Sequence, residues 1–384
     1  MERAGDMNPL RQLRDHGQSY WLDNLSREMV VDGELERRIV EEDCRGVTSN
    51  PAIFHQAISQ GAEYDPDIEA FARDGLSTAE IYERLTVSDV RSACDLLRSV
   101  YEASDGLDGY VSLEVSPHLA HRTDETLVDA RKLFQAVGRP NVLIKIPGTP
   151  AGVPAIEQAL FEGINVNVTL LFSIGAYESI AEAYLRALER RLEAGLPIDR
   201  VVSVASFFLS RIDTLTDELL EEPLPSGDGA PPVDLKGMTA NANAKLAYSN
   251  FKEIIESERW LALQRRGALP QRMLWASTST KDPSYRDVKY VEPLIGPHTI
   301  NTMPEVTIRA FVDHGIVETT IEDGIDEARD TMRRLRDAGI DFDGVTADLL
   351  EQGVRKFIKP YDTLLDALEE RRREFIEVGS ATEA

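Results

Sequence analysis

The chain has 384 residues, of which 42% are hydrophobic and 28% are charged, which is ordinary for a soluble globular protein. Its 67 acidic and 42 basic residues give a formal net charge of −25. So acidic a chain argues against nucleic acid or an anionic membrane surface as the main partner, because both would repel it.

The N-terminal stretch Met1–Leu10 lacks the apolar core of a signal peptide, and no apolar run approaches the length of a membrane span. Cys44 and Cys94 have neither the number nor the spacing of a disulfide framework or a metal site. We interpret them as small buried residues in a reducing compartment. The sequence therefore predicts a cytoplasmic protein.

Short β-type runs alternate with helical patterns along the chain. We place the eight predicted strands near Tyr20–Asp23, Gly46–Asn50, Val111–Glu114, Val142–Ile146, Asn165–Thr169, Val201–Ser206, Met273–Ala276 and Thr299–Met303. Eight strands with helices between them are typical of a (β/α)₈ (TIM) barrel, which can take up this length as one domain. We predict a single barrel domain over residues 1–384.

Helix signals fill the intervals between the strands. Ser77 and Glu80 form a capping box, and Gly138 is positioned to end a later helix. The interval Pro51–Gly109 is too long for one helix, so we predict a helical insertion of three helices over about residues 51–109. The segment Pro223–Pro232 has the composition of a loop.

The segment Asn141–Ser173 indicates function most strongly. Its strand, helix and strand form a βαβ unit, so the two strands are predicted to be parallel. Lys145 interrupts the first, apolar strand, while Asn165, Asn167 and Thr169 form a polar stripe on the second. Parallel sheets are covered on both faces, so a solvated surface does not explain this stripe. The ends of barrel strands do, because they line a pocket.

Two interpretations of Lys145 compete. Its stem could pack against the strand while its ammonium reaches water, as most single lysines do. Alternatively, the apolar neighbours strip its hydration, which favours the neutral amine and makes it a nucleophile for a carbonyl. The polar stripe expected beside it favours the catalytic interpretation.

Seven sequence blocks span nearly the whole chain and are GVTSNPAIF (residues 46–54), SLEVSP (112–117), LIKIPGT (143–149), INVNVTLLFS (164–173), ASFFLSR (205–211), WASTSTKDP (275–283) and NTMP (301–304). In their content and order these blocks resemble the transaldolase family, a class I, Schiff-base aldolase group. The resemblance is to the longer, actinobacterial-type members. It implies the barrel with extra helices, and a C-terminal helix, at about residues 346–377, that packs across it. Pro360 is expected to kink this helix.

The resemblance also implies an activity. A dihydroxyacetone unit would pass from sedoheptulose 7-phosphate to glyceraldehyde 3-phosphate, giving erythrose 4-phosphate and fructose 6-phosphate in the pentose phosphate pathway. Phosphorylated sugars are then the partners, and this chemistry needs no cofactor and no metal. His118 and His121 lie three residues apart, but no third ligand is evident, and we interpret them as surface residues. The oligomeric state is left open between monomer and homodimer.

The implied catalytic residues each have a structural alternative. Lys145 would form the Schiff base. Asp23 matches the family's acid/base, although an aspartate at this junction could instead cap the helix that follows. Glu114 and Thr169 match the pair that holds a water for proton transfer, although Glu114 could serve as a structural ion-pair partner of Lys145.

The implied substrate-binding residues lie at other strand ends. Asn50 and Asn167 match ligands of the substrate hydroxyls, although Asn50 could simply form a turn before Pro51. Ser206 and Arg211 match the phosphate-binding pair. An arginine at this position could instead pair with Asp213 or Asp217 on a helix surface.

The segment Trp275–Pro283 departs from the best-known family pattern. Ser279 stands where a second phosphate-binding arginine is expected, so we predict that Ser277 and Lys281 share that task. The related fructose 6-phosphate aldolases carry a tyrosine at the position of Phe208 and a glutamine at that of Glu114. Both residues therefore favour transfer over free aldol cleavage. A catalytically silent barrel that serves only in binding is the other alternative.

Overall fold

A computed structural model describes residues 8–222 and 233–382. Within these ranges eight strands form one closed barrel, in which every strand runs parallel to its two neighbours. The strands are β1 (Gln18–Leu22), β2 (Gly46–Val47), β3 (Tyr110–Glu114), β4 (Val142–Pro147), β5 (Val166–Leu171), β6 (Ser203–Phe208), β7 (Arg272–Ala276) and β8 (Thr299–Met303). The predicted (β/α)₈ barrel is confirmed.

Helices surround the barrel and connect its strands. They are α1 (Pro9–Gln12), α2 (Arg27–Val31), α3 (Glu34–Glu41), α4 (Pro51–Gln60), α5 (Asp65–Arg73), α6 (Thr78–Leu96), α7 (Arg98–Ala103), α8 (Thr123–Val137), α9 (Gly152–Glu162), α10 (Ile174–Glu193), α11 (Ser210–Glu221), α12 (Thr239–Glu256), α13 (Glu258–Gln264), α14 (Glu305–His314), α15 (Ile325–Asp337) and α16 (Phe342–Thr382). None of these described helices is long and apolar enough to cross a bilayer.

Some element bounds differ from the prediction. The strand β2 has two residues rather than five, because the Asn50 side chain already caps the helix that begins at Pro51. The strand β6 continues to Phe208, two residues past its predicted end. The interval before β3 contains four α-helices, α4 to α7, instead of three. The predicted loop Pro223–Pro232 lies outside the described residues.

The C-terminal helix α16 contacts α4, α5, α6 and α11 and also reaches the strand β5. It remains helical through Pro360, so the proline does not end it. Its buried face includes Val354, Phe357, Leu364 and Leu368. The helix therefore packs against the insertion and against the carboxyl end of the barrel, as the resemblance implied.

The opposite end of the barrel is closed by a buried polar cluster. Arg272 donates from Nη1 to Oδ1 of Asp108 at 3.0 Å and from Nη2 to the carbonyl of Thr299 at 2.9 Å. Asp108 also accepts from Ser19 and from the Trp21 indole. Because both charges are paired and hydrogen-bonded, they can be buried inside the barrel. The open mouth of the barrel lies at the other end.

Candidate active site

Lys145 lies near the end of β4, inside the barrel, and is 4% exposed. The parallel register places it between Glu114 on β3 and Asn167 on β5. Its Nζ donates to the carbonyl of Ser49 at 3.2 Å and lies 3.7 Å from Oε2 of Glu114. The ring of Phe357, from α16, has its centre 5.6 Å from the same nitrogen. The amine is thus buried and has a carboxylate next to it.

Glu114 and Thr169 both have oxygen atoms available for bonding. Neither oxygen of Glu114 has a hydrogen-bond partner within the described protein, and Oγ1 of Thr169 has none either. Burial raises the pKa of Glu114 to about 7, and Lys145 opposes this rise. A buried acid with a pKa near neutrality can both accept and donate a proton at physiological pH.

Asp23 is the first residue after β1 and faces the same cavity. Its Oδ1 accepts from Oγ1 of Thr48 at 2.8 Å. Burial raises its pKa, while Lys145 and the hydrogen bond from Thr48 oppose the rise. The cap of α2 is Ser26, whose hydroxyl accepts from the amide of Met29. The helix-cap alternative for Asp23 is therefore wrong.

The two predicted amide ligands differ in their surroundings. Oδ1 of Asn50 accepts from two amides of α4, so this residue does cap a helix, and it also lines the cavity. Asn167 is held between two serines, because it donates to Ser112 and accepts from Ser206 at 2.6 Å. Asn165 bonds only backbone groups such as the amide of Val202, and it does not line the cavity.

Arg211 lies at the start of α11 and lines the cavity together with Ser206 and Phe208. Its guanidinium carbon is 5.6 Å from the centre of the Phe208 ring, and its Nη1 is buried without a hydrogen-bond partner. Burial lowers its pKa. The pairing with Asp213 or Asp217 is wrong, because Asp213 binds Tyr290 and Lys289, and Asp217 binds Tyr285.

The loop after β7 places its serines and its lysine differently. Ser277 lines the cavity, has a φ of 56° and lies 2.9 Å from the Ser210 hydroxyl, oxygen to oxygen. This left-handed backbone is uncommon for a serine and tends to occur at functional sites. Lys281 is exposed and donates to Ser279 at 2.7 Å. It lies outside the cavity lining, although its charge still acts on Arg211 and Asp23.

Some of these side chains line a small cavity at the mouth of the barrel, whereas Glu114, Asn167 and Thr169 do not line it. Its volume is about 90 Å³, and its lining residues are Asp23, Thr48, Asn50, Lys145, Ser206, Phe208, Arg211, Ala276, Ser277, Thr302 and Phe357. Thr48 and Thr302 lie within the motifs at residues 46–54 and 301–304 but were not predicted as site residues, and no motif indicated Phe357. A larger groove of about 740 Å³ beside α2 and α4 contains none of the predicted site residues.

The two histidines act in helix docking. His118 forms a 2.7 Å hydrogen bond with Asp362, and His121 lies 3.5 Å from Glu351, both of them on α16. Among the residues that the structure describes, no group of three or more histidine, cysteine, aspartate or glutamate side chains could hold a metal ion.

The chain matches the family model described as Transaldolase/Fructose-6-phosphate aldolase over residues 20–368. It is 50% identical to "Transaldolase 2" of Nostoc sp. (strain PCC 7120) over 370 residues, which cover 94% of this chain and 97% of that protein. It is 45% identical to "Transaldolase" of Thermobifida fusca over 360 residues, which cover 94% and 97%. "Transaldolase" of Thiobacillus denitrificans is also 45% identical, with 94% and 99% covered.

Proposed function

This chain belongs to the transaldolase/fructose-6-phosphate aldolase family, and we propose that it transfers a dihydroxyacetone unit from sedoheptulose 7-phosphate to glyceraldehyde 3-phosphate. The products are erythrose 4-phosphate and fructose 6-phosphate, within the non-oxidative pentose phosphate pathway. One observation carries the proposal. A buried lysine, Lys145, lies between a carboxylic acid with a pKa near 7 and a fixed amide at the mouth of the barrel.

The first step forms an imine. The neutral amine of Lys145 adds to the C2 carbonyl of the ketose and gives a carbinolamine. Protonation of the carbinolamine hydroxyl and loss of water then leave an iminium ion. Glu114 supplies and recovers the proton, through a water that it holds together with Thr169. The unpartnered oxygens of both residues support this role.

The second step breaks the C3–C4 bond. Asp23 removes the proton of the C4 hydroxyl, the carbonyl of the aldose product forms, and the bonding electrons move to the iminium nitrogen, which leaves an enamine on Lys145. The enamine carbon then attacks the aldehyde of the acceptor, and Asp23 returns the proton to the new hydroxyl. Hydrolysis of the resulting imine frees Lys145. The 2.8 Å hydrogen bond from Thr48 orients the Asp23 carboxylate for both transfers.

The remaining predicted residues hold the substrate. Asn50 and Asn167 bind its hydroxyls, since amides donate and accept without adding a charge. Ser206, Arg211 and Ser277 bind its phosphate, and Lys281 adds a further charge at that end. The buried, unpartnered Nη1 of Arg211 supports this role, because a guanidinium N–H without an acceptor is costly in the interior.

Borohydride trapping tests the Schiff base. Reduction in the presence of fructose 6-phosphate should attach one three-carbon unit to the protein, and peptide mapping should find it on Lys145. Lys145→Arg should fold and trap nothing, because a guanidinium remains protonated. Lys132→Arg, at an exposed lysine that pairs with Glu83, serves as the control. An adduct on another lysine, or none, would refute the mechanism.

A coupled assay separates transfer from free aldol cleavage. With fructose 6-phosphate as donor, glyceraldehyde 3-phosphate should appear only when erythrose 4-phosphate is present as acceptor. Equal rates with and without the acceptor would identify a fructose 6-phosphate aldolase. Absence of both activities in a folded protein would favour the catalytically silent barrel.

A further inference from the structure

The helix α16 brings a cation to the phosphate end of the candidate site. Lys356 is exposed and directly precedes Phe357, which lines the catalytic cavity. The same helix contacts α11, which carries Arg211. Lys356, Arg211 and Lys281 therefore come from three different elements, which are α16, α11 and the loop after β7.

Among the nearby charges, Arg211 affects the pKa of both lysines more than any carboxylate does. The charge of Arg211 adds to the effect of partial burial in lowering the pKa of both Lys281 and Lys356, and Lys356 also acts on Lys281. The opposing carboxylates are Asp23, which acts on Lys281, and Glu218, which acts on Lys356. Like charges repel one another, and an anion that joined these three cations would offset their repulsion.

A second observation indicates where the anion lies. Nη1 of Arg211 is buried without an acceptor, although Arg211 lines the catalytic cavity. An arginine N–H that is withdrawn from water and left unpaired needs an anionic oxygen more than any neutral partner. An anion in the catalytic cavity beside Arg211 would supply that oxygen.

We propose that Lys356 binds the phosphate group of the sugar substrate together with Arg211, so that α16 contributes directly to substrate binding. This inference rests on the proposed function and adds a substrate-binding residue to it. The phosphate dianion bridges α11 and α16. Because Lys356 and Phe357 are adjacent, phosphate binding also holds the Phe357 ring over Lys145.

The test compares phosphorylated with unphosphorylated donors. Lys356→Met should raise KM for fructose 6-phosphate about tenfold, within the range expected for one charge-assisted bond, with little change in kcat. Activity with fructose as donor should be unchanged, and inorganic phosphate should inhibit the variant more weakly than the parent protein. Lys356→Arg should keep most of the affinity. Lys359→Met, at an exposed lysine one turn further along α16, should behave like the parent protein.

Two outcomes would overturn the role of Lys356. One is a parent-like KM together with parent-like inhibition by phosphate in Lys356→Met. The other is an equal loss on fructose and on fructose 6-phosphate, which would mean that the lysine supports α16 rather than the phosphate. Failure of the proposed function is distinguishable, because the parent protein itself would then lack transfer activity. Calorimetric titration of inorganic phosphate into parent and variant would still measure the binding contribution of Lys356.

Discussion

At the scale of single residues, the two carboxylates beside Lys145 have different surroundings. Glu114 accepts no hydrogen bond from the described residues, and burial raises its pKa to about 7. Asp23 accepts a hydrogen bond from Thr48, and the charges of Lys145 and Lys281 partly oppose the rise of its pKa by burial. A pair of acids in such different environments can divide proton transfer between two steps of one reaction.

The proposed catalytic role of Asp23 can be tested by comparing it with Ser26, the residue that caps α2. Asp23→Ala should lower turnover by about 10²- to 10⁴-fold, the usual contribution of general acid–base catalysis, while borohydride still traps some imine through Glu114. Ser26→Ala is the control, since it removes the cap of α2 and should cost about 1 kcal/mol of stability with normal turnover. Near-normal turnover in Asp23→Ala would place the acid/base elsewhere.

The raised pKa of Glu114 predicts that the free energy of unfolding depends on pH. Its folded pKa of about 7 exceeds its ordinary value, so the folded state keeps a proton that the unfolded state has lost. Stability therefore falls as pH rises from about 4.5 to 7, with a maximal slope near 1.4 kcal/mol per pH unit. Urea denaturation at several pH values should show the free energies of unfolding of the parent protein and Glu114→Gln diverging by a few kcal/mol over this range. Parallel curves would contradict the raised pKa.

At the scale of elements, the docking of α16 depends on a close approach to β5. A Cβ atom at Gly353 would lie 2.8 Å from the side chain of Leu170. Leu170 itself has a φ of 61° and lies in the irregular part of β5, next to Thr169. The glycine weakens helix propensity, yet it lets the helix lie directly on the strand end that carries a predicted catalytic residue.

Gly353→Leu should therefore displace α16. Overpacking of this kind costs about 1–3 kcal/mol, and we expect a raised KM, slower imine trapping and faster proteolysis within α16. Gly175→Ala on α10 is the control, because its Cβ would meet no atom within 4 Å. If Gly353→Leu keeps its activity and its resistance to proteolysis, close packing of the helix on β5 is not required.

At the scale of the whole molecule, stability and chemistry lie at opposite ends of the barrel. The Arg272–Asp108 pair closes the end away from the cavity and ties β7 to β8 and to the start of β3. Its residues make no contribution to the lining of the candidate site. Loss of this pair should therefore change folding rather than substrate binding.

Arg272→Met should lower the free energy of unfolding by about 3–5 kcal/mol, because it leaves Asp108 buried and unpaired. KM and kcat per folded molecule should remain those of the parent protein. The double variant Arg272→Met with Asp108→Asn should be less destabilised than the sum of the two single variants. Additive losses in a double-mutant cycle would show that the two side chains are not coupled.

Part of the site was predictable because inward-facing residues alternate along each strand. In a parallel barrel, side chains of alternate residues face inward, and the carboxyl ends of all strands meet at one rim. The positions of Asp23 and Lys145 at strand ends were therefore enough to predict that both line one cavity, whereas Thr169 does not line it. The order of the blocks and the expected chemistry came from the family motifs, because hydrophobic periodicity alone does not indicate a reaction.

What the sequence by itself determined is the barrel, the order of its strands and the lysine that lies among apolar neighbours. Only the tertiary structure decided which alternative roles survive. It excluded a cap role for Asp23 and an ion pair of Arg211 with Asp213 or Asp217, and it revealed that Phe357 lies beside Lys145, more than two hundred residues away in sequence. The physical reason is that local propensity sets the elements, whereas hydrogen bonds and burial depend on neighbours that the chain brings close only when it folds.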